Sequence, residues 1–175
     1  MHINFEFKAA HEKIEEAEKV LQGLQPRFVG EDHQVDTYFN VPNGRLKLRE
    51  GTIEQALIFY RRTNIAGAKQ SDVILYQHPA DAALKQILTQ SLGIKTVVDK
   101  RRKIYFIDNV KFHFDTVQGL GTFVEVEAID RDGSIGIEIL REQCRRYQQL
   151  FGINEEDFIA GSYSDLLLAK KSSVG

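Results

Sequence analysis

Thr122-Phe-Val-Glu-Val-Glu-Ala-Ile129 alternates strictly, placing Glu125 and Glu127 on one face and Val124 and Val126 on the other. In a β-strand, residues i and i+2 share a face, so this stretch reads as a strand with one charged and one apolar side. The same pattern returns along the chain. Lys111-Phe-His-Phe-Asp115 precedes it across the glycine turn Gly119-Leu120-Gly121, and Ile3-Asn-Phe-Glu-Phe-Lys8 opens the sequence. Lys47 and Arg49, then Lys100 and Arg102, are spaced two apart, and Arg61 closes the apolar run Leu57–Tyr60.

Further strands are expected at Val35–Phe39, Leu46–Glu50, Val73–Tyr76 and Lys95–Ile107, the last as one long strand or two. Helical spacing predicts a helix through Ile14, Ala17, Leu21 and Leu24, another over 82–92 and a third over about 135–151. Asn154 and Ser162 read as N-caps of short closing helices. About eight strands, joined mostly by short loops, favour an antiparallel sheet over a parallel α/β fold. The fold expected is α+β, mainly β: a closed eight-stranded antiparallel barrel with helices packed outside. The apolar faces then lie under the helices, and the charged faces line a water-filled interior.

The 175 residues carry a formal net charge of −2, with 42% hydrophobic and 27% charged side chains. One domain over 1–175 is expected, with 170–175 as a frayed tail. The charge argues against a general nucleic-acid or anionic-membrane binder. One cysteine, Cys144, fits a reducing compartment, and neither a signal peptide nor a membrane-spanning run is visible. The expectation is a cytoplasmic protein.

Clustered carboxylates suit a hard divalent cation, and clustered Lys and Arg suit a polyphosphate. A chain carrying both points to a metal-bound triphosphate. Solvated strand faces, with acids paired to lysines opposite, are the plain alternative for any one segment. His113 shares a face with Asp115 and reads first as a satisfied structural histidine. Cys144 falls on the apolar stripe of a helix and reads as core.

Taken in order, the motifs resemble the CYTH domain of the triphosphate tunnel metalloenzyme superfamily, on the side of the class IV adenylyl cyclases. They are Asn4-Phe5-Glu6-Phe7-Lys8, Gln34-x-Asp36-x-Tyr38-Phe39, Gly44-Arg45-Leu46-Lys47-Leu48-Arg49 and Leu57-Ile58-Phe59-Tyr60-Arg61-Arg62. Lys100-Arg101-Arg102, Asp115, Gly119-Leu120-Gly121-x-Phe123-x-Glu125-x-Glu127 and Tyr163-Ser164-Asp165-Leu166-Leu167 complete the series. The resemblance implies that Lys8, Lys47, Arg49, Arg61, Lys100 and Arg102 bind phosphate, with Lys8 and Arg102 catalytic. It implies that Glu6, Asp115, Glu125 and Glu127 hold Mg²⁺ or Mn²⁺.

The implied substrate is a nucleoside triphosphate or inorganic triphosphate, and the implied assembly is a homodimer. The activity it implies first is conversion of ATP to cyclic AMP and pyrophosphate. Hydrolysis of tripolyphosphate, thiamine triphosphate or a nucleoside triphosphate is the alternative, and a non-catalytic triphosphate-binding module the second. The chain departs from the pattern at Asn4, where the family signature has glutamate, and at Lys47 and Arg61, where Lys and Arg are exchanged. It also lacks the longer histidine-led signature of the cyclases.

Overall fold

The computed structural model describes residues 1–174. Eight strands close into an antiparallel barrel: β1 (His2–Ala10), β2 (Arg27–Phe39), β3 (Arg45–Gly51), β4 (Gln55–Arg62), β5 (Lys69–Gln77), β6 (Ile94–Ile107), β7 (Val110–Val117) and β8 (Gly121–Asp130). Around the wall the order is β1-β5-β4-β3-β2-β6-β7-β8, with β8 returning to β1. The helices are α1 (Ile14–Gln22), α2 (Ala82–Leu92), α3 (Ile137–Leu150) and α4 (Tyr163–Val174). No helix among the described residues is long and apolar enough to cross a membrane.

The largest apolar core lies outside the barrel. Phe5, Phe7 and Ala9 of β1, Phe112 and Phe114 of β7, and Val124, Val126 and Ala128 of β8 turn their side chains outward. Ile14, Ala17 and Leu21 of α1 and Leu140, Cys144 and Tyr147 of α3 cover them. Those spacings of three and four are one stripe of a helix. Burial pushes the Cys144 thiol up to about 12, and the thiol donates to the Phe5 carbonyl at 3.1 Å. The alternation read in the sequence is therefore inverted relative to a sandwich: apolar outward beneath helices, charged inward.

Two elements run longer than their apolar patterns suggest. β2 begins at Arg27 rather than Val35, because its inward positions Asp32, Gln34 and Asp36 are polar yet buried. The tail expected to fray, 170–174, instead continues α4, and Gly175 lies outside the described residues. At the β3 entrance the Pro42-Asn43-Gly44 turn needs its glycine. Gly44 has φ +65°, and a Cβ there would lie 2.7 Å from Phe59 and 2.9 Å from the Tyr60 carbonyl.

Candidate functional site: a tunnel with a basic and an acidic wall

The barrel encloses a cavity of about 490 Å³. The C-terminal segment closes one end. Phe158 bridges Ala9, the Ile159 amide donates to the Lys8 carbonyl at 2.8 Å, and Tyr163 packs on Phe123. The other end is a mouth rimmed by His2, Gln55, Leu75, Gln77, Phe106 and Arg131.

The basic wall forms around Asp36, which is buried on β2. Arg49 grips its carboxylate through Nε and Nη2, both at 2.9 Å. Lys100 Nζ donates at 2.8 Å, and Lys47 Nζ lies 3.3 Å away. β2 sits between β3 and β6, so cations from both neighbours reach one carboxylate. Burial alone would raise Asp36, but Arg49, Lys100 and Lys47 hold it well below the carboxylate range. Burial pushes Lys100 down to about 7 despite that partner, helped by the nearby charges of Arg49, Arg102 and Lys47. Lys47 also lies 5.6 and 5.5 Å from the Tyr38 and Tyr60 ring centres.

The acidic wall spans β1, β8 and β7. Register places Glu6 beside Glu127, Lys8 beside Glu125, and Glu125 beside His113. Lys8 lies 3.9 Å from Glu125 and stacks over the Tyr163 ring at 3.8 Å. Burial lowers the Lys8 ammonium to about 8. Burial, then Glu125 and Glu6, push Glu127 up to about 7. Arg62 pairs with Glu6, and Lys8 and Arg102 with Glu125, but among the described residues Glu127 has no Lys or Arg within ion-pair distance, which is the electrostatics of a place for a metal ion. Glu125, Glu127 and His113 each put one ligating atom within 4.8 Å of the others. Asn4 Oδ1, on the same inward row as Glu6, is buried with no partner.

Two predicted residues sit elsewhere. Arg61 is exposed on the outer face of β4, against Phe59 and beside Asp72 in register; it does not enter the tunnel. The inward row of β4 is Ala56, Ile58, Tyr60 and Arg62, so Arg62 is the interior cation. Its Nη1 donates to Glu6 at 2.6 Å. The Arg-Arg pair carries either phase, and the apolar run offers residues on both faces; only the closed barrel picks one.

Asp115 is buried, but both oxygens are occupied. Arg102 donates from Nε and Nη2 at 2.7 and 2.6 Å, and Tyr163 donates its hydroxyl at 2.6 Å. It is placed to orient Arg102, whose Nη2 also reaches Glu125 at 3.0 Å. Lys8, Lys47, Arg49, Lys100 and Arg102 are brought together with Glu6, Glu125 and Glu127 around one cavity.

Sequence reading passed over Tyr163, Glu54 and Lys111 as functional positions. Glu54 and Lys111 form an ion pair near the mouth, and Arg49 also reaches Glu54 at 3.1 Å. Glu54 lies in no alternating segment, so nothing local marked it. His113 is not the satisfied histidine expected. Its Nδ1 lies 3.3 Å from Glu125, but Nε2 is buried with no partner.

The β4 phase gives a direct test. Arg62→Ala is expected to weaken tripolyphosphate binding at least tenfold, as loss of a buried charged contact does. Arg61→Ala is expected to leave it within twofold. Calorimetric titration of both variants measures the difference; equal losses would contradict the assigned phase.

A family model described as the CYTH domain matches residues 2–163. A search of curated proteins gave no significant match. Among solved structures, the chain is similar to the PH1012 protein of Pyrococcus horikoshii OT3, with TM-score 0.74 and 22% identity, covering 95% of this chain and 99% of that one. It is similar to a Vibrio parahaemolyticus protein named provisionally as an adenylate cyclase, with TM-score 0.74 and 18% identity, covering 94% and 97%. It is also similar to a candidate adenylyl cyclase from Hippeastrum described as having a dominant triphosphatase activity, with TM-score 0.58 and 14% identity, covering 98% and 96%.

Proposed function

The chain belongs to the CYTH domain family, and on that premise we propose that it is a metal-dependent enzyme acting on a triphosphate, with ATP cyclisation to cyclic AMP and pyrophosphate as its reaction. One observation carries the reading: cations and carboxylates face each other across one cavity closed at one end. A linear polyanion entering such a tunnel lays its phosphates along Lys47, Arg49, Lys100, Arg62, Arg102 and Lys8. Glu6, Glu125 and Glu127 are the proposed holders of Mg²⁺ or Mn²⁺, which supplies Lewis-acid neutralisation of phosphoryl oxygens when bound. Asp115 and Tyr163 keep the Arg102 fork in place, and Asp36 gathers the three cations of the basic wall and offsets their mutual repulsion.

In this scheme Lys8 and Arg102 neutralise charge that builds on the transferred phosphorus and on the departing pyrophosphate. They need no reorganisation, because their partners hold them before substrate arrives. The mouth supports a nucleoside over a bare triphosphate. Leu75, Phe106 and Ile129 give it apolar surface for a base and ribose beside the rim cation Arg131. The protein is taken to be one cytoplasmic domain, and a homodimer in solution, which light scattering would test.

The second reading is triphosphate hydrolysis, with water in place of the ribose hydroxyl. Asn4 favours it, because the neutral amide weakens the acidic wall nearest the mouth, where a ribose hydroxyl would be activated. Incubation of the protein with ATP, tripolyphosphate and thiamine triphosphate, each with Mg²⁺ or Mn²⁺, separates them. Cyclic AMP formation supports cyclisation, and faster phosphate release from tripolyphosphate than from ATP supports hydrolysis. Absence of both with any metal removes the enzyme reading and leaves a binding module.

Lys100 adds a pH prediction. At pH 8 its amine, lowered to about 7, is mostly neutral in the free tunnel. A bound polyanion raises it again, so binding at pH 8 is expected to take up about one proton per site. Above pH 7 affinity should therefore fall as pH rises. Metal-free titration with tripolyphosphate, in two buffers of different ionisation enthalpy and corrected for the ligand's own titration, measures the uptake. Lys100→Arg, charged throughout, should remove most of it, leaving the smaller share contributed by Lys8, whose ammonium is lowered to about 8.

A further inference from the structure

We propose that His113 is a nitrogen ligand of the metal site on the acidic wall, so that the tunnel takes a first-row transition ion in preference to Mg²⁺. The proposal rests on the reading that this wall holds a metal at all. It concerns which donors the wall offers.

His113 is 1% exposed on β7, in register with Glu125 of β8. Its Nδ1 stands 3.3 Å from Glu125 Oε2 and 3.9 Å from Glu127 Oε1. Its Nε2 has no partner. A neutral imidazole has one N–H and one lone pair, and neither arrangement suits this surrounding. With the proton on Nδ1, the ring makes one long contact to Glu125 and leaves a buried acceptor orphaned at Nε2. With the proton on Nε2, the Nδ1 lone pair faces two carboxylate oxygens, which is repulsive unless a cation lies between them.

A divalent ion between Nδ1, Glu125 Oε2 and Glu127 Oε1 removes that repulsion. At metal–ligand distances of about 2.1 Å, neighbouring ligands of an octahedral ion lie roughly 3 Å apart. The observed separations approach that spacing, and small side-chain rotations close the rest.

A second buried group lies nearer the mouth of the same tunnel, level with Ile129 rather than with His113. Asn4 Oδ1 has no hydrogen-bond partner and lines the same tunnel, one inward position before Glu6 on the strand paired with β8. A buried amide oxygen without a donor is costly, and a cation satisfies it as a hydrogen bond would. At His113 itself, carboxylates and an imidazole form a mixed set. Mg²⁺ prefers oxygen donors throughout, whereas imidazole nitrogen favours first-row transition ions.

The experiment uses Mn²⁺ as the probe on the full chain, with and without tripolyphosphate. Pulsed paramagnetic resonance of the bound ion reads ligand nitrogen directly. The expected result is an imidazole ¹⁴N coupling in the wild type. It should be replaced by the ¹⁵N pattern when the protein is grown with ¹⁵N-histidine, a control that changes no side chain. His113→Gln should lose the coupling and weaken Mn²⁺ at least tenfold while Mg²⁺ changes less, so the Mn²⁺/Mg²⁺ preference shrinks.

Bound Mn²⁺ with no nitrogen coupling would overturn the proposal and leave the triphosphate reading intact. Failure of Mn²⁺ to bind even with tripolyphosphate would overturn both. A coupling that survives in His113→Gln would also overturn it.

Discussion

Glu127→Gln is expected to lower triphosphate turnover by on the order of 10³-fold while leaving the fold as stable as before, or slightly more stable. The two effects move apart because the residue is placed for ligand rather than for folding. Its carboxylate is half-buried beside Glu125 and Glu6, without a cation of its own, and its pKa is pushed up to about 7. Gln keeps the shape and removes the charge. If Glu127 helps hold the metal, losing it forfeits several kcal/mol of charge neutralisation in the transition state, at about 1.4 kcal/mol per factor of ten.

The stability side has a definite sign. A carboxyl whose folded pKa lies above its unfolded value binds more protons when folded, so metal-free stability falls as pH rises from about 4.5 to 7. The variant should lose that fall. Melting curves across this pH range, beside turnover assays, measure both. A variant that is inactive because it is unstable would contradict the assignment, and so would one that is fully active.

The sequence carried the barrel because its strands keep strict phase wherever a charge sits inward. Glu125–Glu127 and Lys47–Arg49 are unambiguous, since the residues between them, Val126 and Leu48, are apolar; Lys100–Arg102 encloses the charged, exposed Arg101, and its phase follows from Val98 and Ile104 on either side. The phase became unreadable where both faces carry similar residues. Arg61 and Arg62 are adjacent cations, and β4 offers Leu57 and Phe59 outward against Ile58 and Tyr60 inward. Asp115 was legible as an inward acid but not as an occupied one. Its pairing with Arg102 follows from β6–β7 register, and its bond to Tyr163 from a helix 48 residues away.

Asp36 shows the reverse case, a residue noted only as part of a motif that proves central to the basic wall. Glu54 was invisible because it lies outside any alternating segment, whereas Lys111 stands on the inward row of Lys111–Asp115 and only its pairing with Glu54 across the mouth left no local spacing behind.

Asp36→Ala is expected to destabilise the free protein strongly and to be rescued by triphosphate. In the wild type one buried carboxylate answers Arg49, Lys100 and Lys47. Removing it leaves three cations facing each other away from bulk water. Breaking a buried ion pair by deleting one partner costs about 3–5 kcal/mol. For a chain of this size that corresponds to a fall in Tm of about 10 °C. Lys100 offers partial relief, because its amine can shed its proton, so the deficit should grow as pH falls below 7, where that proton is retained.

A tripolyphosphate ion supplies the missing negative charge to the same three side chains. It should therefore bind the variant at least as tightly as the wild type, without having to compete with Asp36. By linkage, saturating ligand should restore most of the lost Tm, about 3 kcal/mol at a hundredfold excess over Kd. Asp36→Asn should fall between, because its single amide oxygen keeps only part of the hydrogen bonding and the charge is lost. Thermal melts of the three proteins with and without tripolyphosphate, free of metal, decide the matter. A variant destabilised yet unrescued, with weaker binding, would mean that Asp36 positions the cations for the ligand rather than standing in for it.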